Sequence, residues 1–174
     1  GVLRVEEYGT GESRQRHFVH GATLHGVEFA MREKGRPIAS SYYGRATAIA
    51  AALMKRTDGE AIHVGIVGLG VGTLAYYGRS GDRFRYYELD PAVEAIAQGS
   101  GYFSFLERSL ASIEVVLGDA RLSIENEQRQ LGSQEFDFLI IDAFSSDAIP
   151  VHLLTREAFQ LYESALAEHG ILAI

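Results

Sequence analysis

Apolar positions change their period along this chain, and the change divides it. Before residue 30 they alternate with polar ones around glycine, in Arg16-His17-Phe18-Val19-His20-Gly21 and again in Thr23-Leu24-His25-Gly26-Val27-Glu28-Phe29. Such alternation predicts a small antiparallel hairpin. A loop with Gly35 and Pro37 follows. From about Gly44 the spacing lengthens, and Ala46, Ile49, Ala50, Leu53 and Met54 give one apolar helical face. Short apolar runs then alternate with helical stretches. His63–Val67 reads as a strand, followed by Gly68-Leu69-Gly70-Val71-Gly72-Thr73 and a helix through Tyr77. Residues 84–88 form a second strand, and Pro91 opens a helix at its favoured first position. Residues 113–117 form a third, with a helix from about Asp119. Phe136–Ile141 is a fourth, almost wholly apolar, as expected when both sheet faces are covered. Thr155 is placed to cap a helix that bears Phe159, Tyr162 and Leu166 and ends at Gly170. Residues 171–174 begin a fifth strand.

This βαβα rhythm predicts an α/β fold: a doubly wound, mainly parallel sheet with helices on both faces. Residues 1–42 are read as an N-terminal β-hairpin region and 43–174 as the α/β domain. Because the last apolar run stops at Ile174, the sheet is expected to continue beyond this chain. An uncovered apolar edge there is expected to pair with a second copy, giving a homodimer.

Composition narrows the function. Among 174 residues, 16 are Lys or Arg and 23 Asp or Glu, a net charge of −7. That lacks the basic footprint of a nucleic-acid-binding or anionic-membrane-binding protein. Hydrophobic residues make up 47% and charged ones 22%, which suits a globular domain. The absence of cysteine excludes disulfides and thiolate chemistry. The six histidines do not form a metal-ligand cluster, so no metal is expected. No apolar run reaches the roughly 18 residues of a membrane span, and no signal-peptide pattern follows Gly1. A trimmed, cytoplasmic chain without direct membrane contact is expected.

The candidate chemistry lies at the ends of the strands. Gly68, Gly70 and Gly72 sit where a strand turns into a helix, the place where such sheets bring backbone close to a nucleotide. Glu88 ends the next strand, 20 residues after Gly68, where an acidic side chain can accept from ribose hydroxyls. The dinucleotide fingerprint wants Gly or Ala where Thr73 stands. The spacing instead matches loops for S-adenosylmethionine-type ligands, which have no pyrophosphate, so a sheet of the class I S-adenosylmethionine-dependent methyltransferase type is expected. Asp119, after the third strand, is a partner for an adenine amino group, a helix N-cap, or both at once. Asp142 ends the fourth strand, and Asp147 lies in the small-residue loop beyond it. Two such carboxylates suit a cationic substrate or a general base, although Asp147 also fits a turn before Pro150.

At this loop the sequence becomes more specific. The run from Phe136-Asp137 to Asp142, then Ser145-Ser146-Asp147, resembles the Asp-Ser-Ser-Asp signature of spermidine synthases and related polyamine aminopropyltransferases. The hairpin, the glycine loop, Tyr87-Glu88-Leu89-Asp90-Pro91 and Gly118-Asp119-Ala120 fit the same family, from about residue 16 to the end. In detail the chain is most similar to a divergent bacterial branch fused to a multi-spanning, transporter-like region. That branch is marked by Asp142-Ala143-Phe144-Ser145-Ser146-Asp147-Ala148-Ile149-Pro150 and Leu154-Thr155-Arg156-Glu157.

The resemblance implies transfer of an aminopropyl group from decarboxylated S-adenosylmethionine to a di- or polyamine, releasing methylthioadenosine. Glu88 would hold the ribose and Asp119 the adenine. Asp142 would deprotonate the amine, Asp147 would help to bind it, and Tyr43, or as second choice Tyr42, would line its pocket. The fused branch also implies a tether to a membrane region outside this segment. Three features depart from the family pattern: Val71 replaces its glycine-loop Asp, the Asp142–Asp147 loop is two residues longer, and Tyr42-Tyr43-Gly44 replaces its Tyr-His-Glu. His25 falls near its hairpin glutamine, where a lone histidine is more often structural. Two alternatives stay open: a methyltransferase using S-adenosylmethionine itself, which Val71 favours, and a non-catalytic domain binding a nucleoside or polyamine.

Overall fold

The computed structural model describes residues 2–40, 43–55, 59–144 and 148–174. Its N-terminal part is a three-stranded antiparallel sheet of β1 (Leu3–Tyr8), β2 (Gln15–His20) and β3 (Thr23–Phe29), with β2 in the middle. The expected hairpin is therefore one strand larger, with β1 aligned so that Leu3 faces His20. Two-residue strands β4 (Arg32–Glu33) and β5 (Arg36–Pro37) pair before α1 (Ala48–Lys55).

The remainder alternates as the sequence implies: β6 (His63–Val67), β7 (Arg83–Glu88), α2 (Pro91–Ala97), β8 (Ser112–Leu117), α3 (Ala120–Leu131), β9 (Phe136–Ile141), α4 (Arg156–Ala165) and β10 (Leu166–Ala173). The strands form one sheet in the order β10-β9-β6-β7-β8, every pair parallel. The chain order reverses between β6 and β9, which opens a crevice at their carboxyl ends. Backbone bonds carry the ladder into the loops: Gly68 N–H donates to Tyr87 O, Gly118 N–H to Glu88 O and Asp142 N–H to Val67 O, each at 2.8 Å. Residues 68, 88, 118 and 142 are thereby fixed side by side.

Side-chain alternation splits the core into two layers. On one face Ala50 and Leu53 of α1 meet Val64, Ile66, Phe84, Tyr86 and Ile140. On the other, Ile124 of α3 and Ala158 and Tyr162 of α4 meet Val67, Tyr87, Leu139 and Ile141. A third cluster, Phe18, Val71, Phe103 and Phe105, joins the N-terminal sheet to the glycine loop.

Two boundaries differ from expectation. The helix after the glycine loop is a short 3-10 stretch, Thr73–Tyr77, which Gly78 ends in an extended conformation. The last helix stops at Ala165, and β10 begins at the next residue. Gly170 is thus no helix terminator. It lies in β10 beside a register shift, where a Cβ would stand 2.4 Å from the Phe136 carbonyl oxygen. Among the described residues no helix is long and apolar enough to cross a membrane.

Candidate active site

The glycine loop is shaped first by close backbone contact. Gly68 has φ +101°, and a Cβ there would lie 2.7 Å from the Asp142 carbonyl oxygen. Gly70 has φ +53°, and its Cβ would lie 2.7 Å from the carbonyl oxygen of His25. β3 and the loop after β9 therefore press on the loop from two sides, and any larger residue would part them. Gly72 faces Leu106 instead and lies outside the cavities described below. Val71 is buried, against Phe18 and Gly26, and offers no side chain to either large cavity.

Glu88 is tied to this loop. Its Oε2 accepts from Leu69 N–H at 3.0 Å and its Oε1 from Asp90 N–H at 2.8 Å. Burial raises its pKa, while the backbone donors pull it down. The Leu89 N–H is a third backbone donor to this carboxylate, which has four lone-pair positions and so keeps room for a ligand hydroxyl. Asp119 caps α3 by accepting from Leu122 N–H at 3.0 Å through Oδ1. Its Oδ2 meets His152 Nε2 at 3.1 Å. The capping and ligand-facing roles are compatible, because Asp119 also lines the cavity.

Asp142 is the most perturbed of these acids. Burial pushes its pKa up from 3.8 to about 6, against a hydrogen bond from the Tyr43 hydroxyl that lowers it. The Tyr43 phenol is raised in turn, by burial and by the Asp142 charge. The Tyr77 hydroxyl donates to the Tyr43 carbonyl and fixes that residue's backbone.

Two cavities meet at Asp142. The larger, about 700 Å³, runs along the carboxyl ends of β6, β7 and β8 past Gly68, Gly70, Glu88 and Asp119. The smaller, about 470 Å³, lies between β3, the segment before α1 and the ends of β9 and β10, and is lined by Ser40, Tyr43, Ile49 and Thr73. Asp142, His25, Thr23, Gly70 and Phe144 line both. Both volumes are in the range of small-molecule sites. Gly68, Gly70, Glu88, Asp119, Tyr43 and Asp142 thus converge; Tyr42 and Asp147 lie outside the described residues. Among the described residues no three His, Asp or Glu side chains gather as metal ligands.

Two residues at the site escape sequence reasoning. His152 is a lone histidine 33 positions from its carboxylate partner, and no local pattern marks it. Tyr86 reads as one more apolar strand residue, and only its hydroxyl sets it apart.

No family model matches the chain. It is 36% identical over 85 residues to the polyamine aminopropyltransferase of Vibrio vulnificus, a match covering 49% of this chain and 26% of that protein. It is 30% identical over 111 residues to an N-terminal histidine N-methyltransferase of Emericella nidulans, covering 63% of this chain and 19% of that protein. The chain thus spans about a quarter and about a fifth of the lengths of these relatives, both of which are transferases. In three dimensions it resembles the spermidine synthase of Thermotoga maritima with a TM-score of 0.54 and 21% identity, over 97% of this chain and 56% of that one. At that identity the likeness is one of fold.

Proposed function

We propose that this chain, a homologue of the polyamine aminopropyltransferases, forms the reacting centre of an enzyme that moves an aminopropyl group from decarboxylated S-adenosylmethionine to a di- or polyamine. The observation that carries the reading is Asp142, held by Tyr43 on the boundary between two cavities. The larger cavity suits the adenosyl moiety, with Glu88 toward the ribose and Asp119 toward the adenine. The smaller suits an amine chain, with apolar wall for its methylenes and Asp142 at the inner end.

The chemistry follows from the charges. An alkylammonium has a pKa of about 10.4, and only its neutral form is nucleophilic. Asp142 takes the proton, and the freed nitrogen pair attacks the carbon next to the sulfonium. The N–C bond forms as the C–S bond breaks, and the electron pair stays on sulfur, leaving neutral methylthioadenosine. A pKa of about 6 makes Asp142 a stronger base than an ordinary aspartate while keeping it ionised at neutral pH. Proton removal of this kind contributes roughly 10²–10⁴-fold, and alignment across the shared boundary adds to it.

Methyl transfer from S-adenosylmethionine is a second reading, favoured by Val71, which brings no carboxylate to the donor cavity. Calorimetry with both sulfonium donors and with methylthioadenosine, followed by turnover with diamines, separates the two. Asp142→Asn is expected to cut turnover by at least about 10²-fold with little change in nucleoside affinity. Partial recovery at high pH is expected, because more amine then arrives neutral. An Asp142→Asn protein as active as wild type at every pH would end the aminopropyltransferase reading.

A further inference from the structure

Tyr86 is 1% exposed, and among the described residues its hydroxyl has no hydrogen-bond partner. The Ala75 N–H beside it is already donated to the Gly72 carbonyl at 3.0 Å. An unpaired buried hydroxyl opposes folding, and a phenylalanine would fill the same space without that penalty. Packing therefore gives no reason for the oxygen.

Its neighbours do. Tyr86 lies on the face of the sheet that carries Ile66 and Ile140. Asp142 follows Ile140 by two positions and so turns to the same face. Tyr86, Tyr43, Asp142, Thr73 and His25 together line a void of about 10 Å³, far too small for a substrate. Asp142 thus has one phenol already bound to it, and a second, uncommitted, lines the same small void.

We propose that Tyr86 is a positioning residue for Asp142, a second phenolic donor that takes a carboxylate oxygen when the side chain turns from Tyr43 toward an incoming amine. The proposal rests on the assignment of Asp142 as the base. Tyr86 would hold the carboxylate through that turn, so that it meets the amine in one orientation.

The groups facing Asp142 are Tyr43, Tyr86 and His25, while Glu88, Asp90 and Asp119 line the larger cavity. Burial, and the charge of His20, hold the His25 imidazole below its ordinary pKa, so it stays neutral near pH 7. A donor bonded to the ionised carboxylate lowers its pKa.

The test is a titration of Asp142 by carbon NMR of carboxyl-labelled aspartate, in the whole ligand-free chain. It compares wild type, Tyr43→Phe, Tyr86→Phe and the double variant. Tyr86→Phe is expected to move the midpoint little while Tyr43 remains. In the Tyr43→Phe background it is expected to raise the midpoint by about one pH unit. Equal midpoints in Tyr43→Phe and the double variant overturn the proposal, as does a Tyr86→Phe protein that melts higher and keeps the wild-type rate. Should the double variant fail to fold, the single Tyr86→Phe protein gives the second measure: the acid limb of its kcat–pH profile, which reports the amine-bound enzyme, is expected to move to higher pH, and an unmoved limb refutes the role. The NMR comparison needs no turnover, so failure of the proposed reaction would be recognised separately.

Discussion

Replacing Asp142 with asparagine is expected to stabilise the protein while disabling it. The carboxyl group titrates at 3.8 in an ordinary setting and at about 6 in the fold, chiefly because burial penalises its charge. Between those values the folded state holds the proton that the unfolded chain releases, so stability falls as pH rises through the window. The gap of about two units corresponds to about 3 kcal/mol, fully present below about pH 4 and lost above about pH 6. Asparagine cannot ionise, yet its Oδ1 still accepts from Tyr43. The stability difference between Asp142→Asn and wild type is therefore expected to be small near pH 4 and to grow by about 3 kcal/mol by pH 7. For a chain of this size that amounts to roughly 6–12 °C in melting temperature. Urea unfolding of both proteins from pH 4 to 8 measures it, and taking the difference cancels the other carboxylates. A difference that is flat across pH would refute the buried-charge account of Asp142, and a difference that shrinks toward neutral pH would reverse its sign.

Glu88→Ala removes the acceptor of Leu69 N–H and Asp90 N–H and is expected to weaken methylthioadenosine binding by about 1–3 kcal/mol. Calorimetry checks this, and an unchanged affinity would sink the ribose assignment. Gly70→Ala places a Cβ at positive φ against the His25 carbonyl. It is expected to cost at least about 1–2 kcal/mol, read as a lower urea midpoint, and an unchanged midpoint would show that β3 does not press on the loop.

The strand-end residues were legible because a parallel strand buried on both faces is an unbroken apolar run, and the polar residue that ends it marks the carboxyl edge. Glu88 and Asp142 stand out for that reason, and the glycines between 68 and 72 mark the same edge. The direction of a loop side chain carries no such mark. Val71 sits in a nucleotide-loop pattern, yet it points into the N-terminal sheet because Gly26 leaves a place for it there. Gly170 shows the converse: after an amphipathic helix a glycine reads as a terminator, but here it is required by the Phe136 carbonyl, a contact between strands 34 residues apart. β1 went unread because Leu3-Arg4-Val5-Glu6-Glu7-Tyr8 alternates only weakly, and it is ordered by pairing with β2. His152 and Asp119, 33 positions apart, meet only in the folded chain, where the turn at Val151–Leu153 lies beside the start of α3.

The two cavities divide the chemistry between parts of the fold with different constraints. The larger is built on the ends of β6, β7 and β8, the elements whose glycine loop and acidic strand ends the sequence announced. On the proposed reading a donor bound there loses an aminopropyl group, and on the second reading a methyl group. The smaller sets the ends of β9 and β10 against β3, Ser40 and Tyr43, and these last reach the site only because the part of the chain before α1 packs on the parallel sheet. On the proposed reading, the choice of acceptor is made there. Substitutions that reshape the smaller cavity, such as at Ile49 or Ser40, should then alter which amine is used without altering nucleoside affinity. Substitutions in the larger cavity should weaken every donor alike. Asp142 and Gly70, which line both cavities, are where the two sets of effects must coincide.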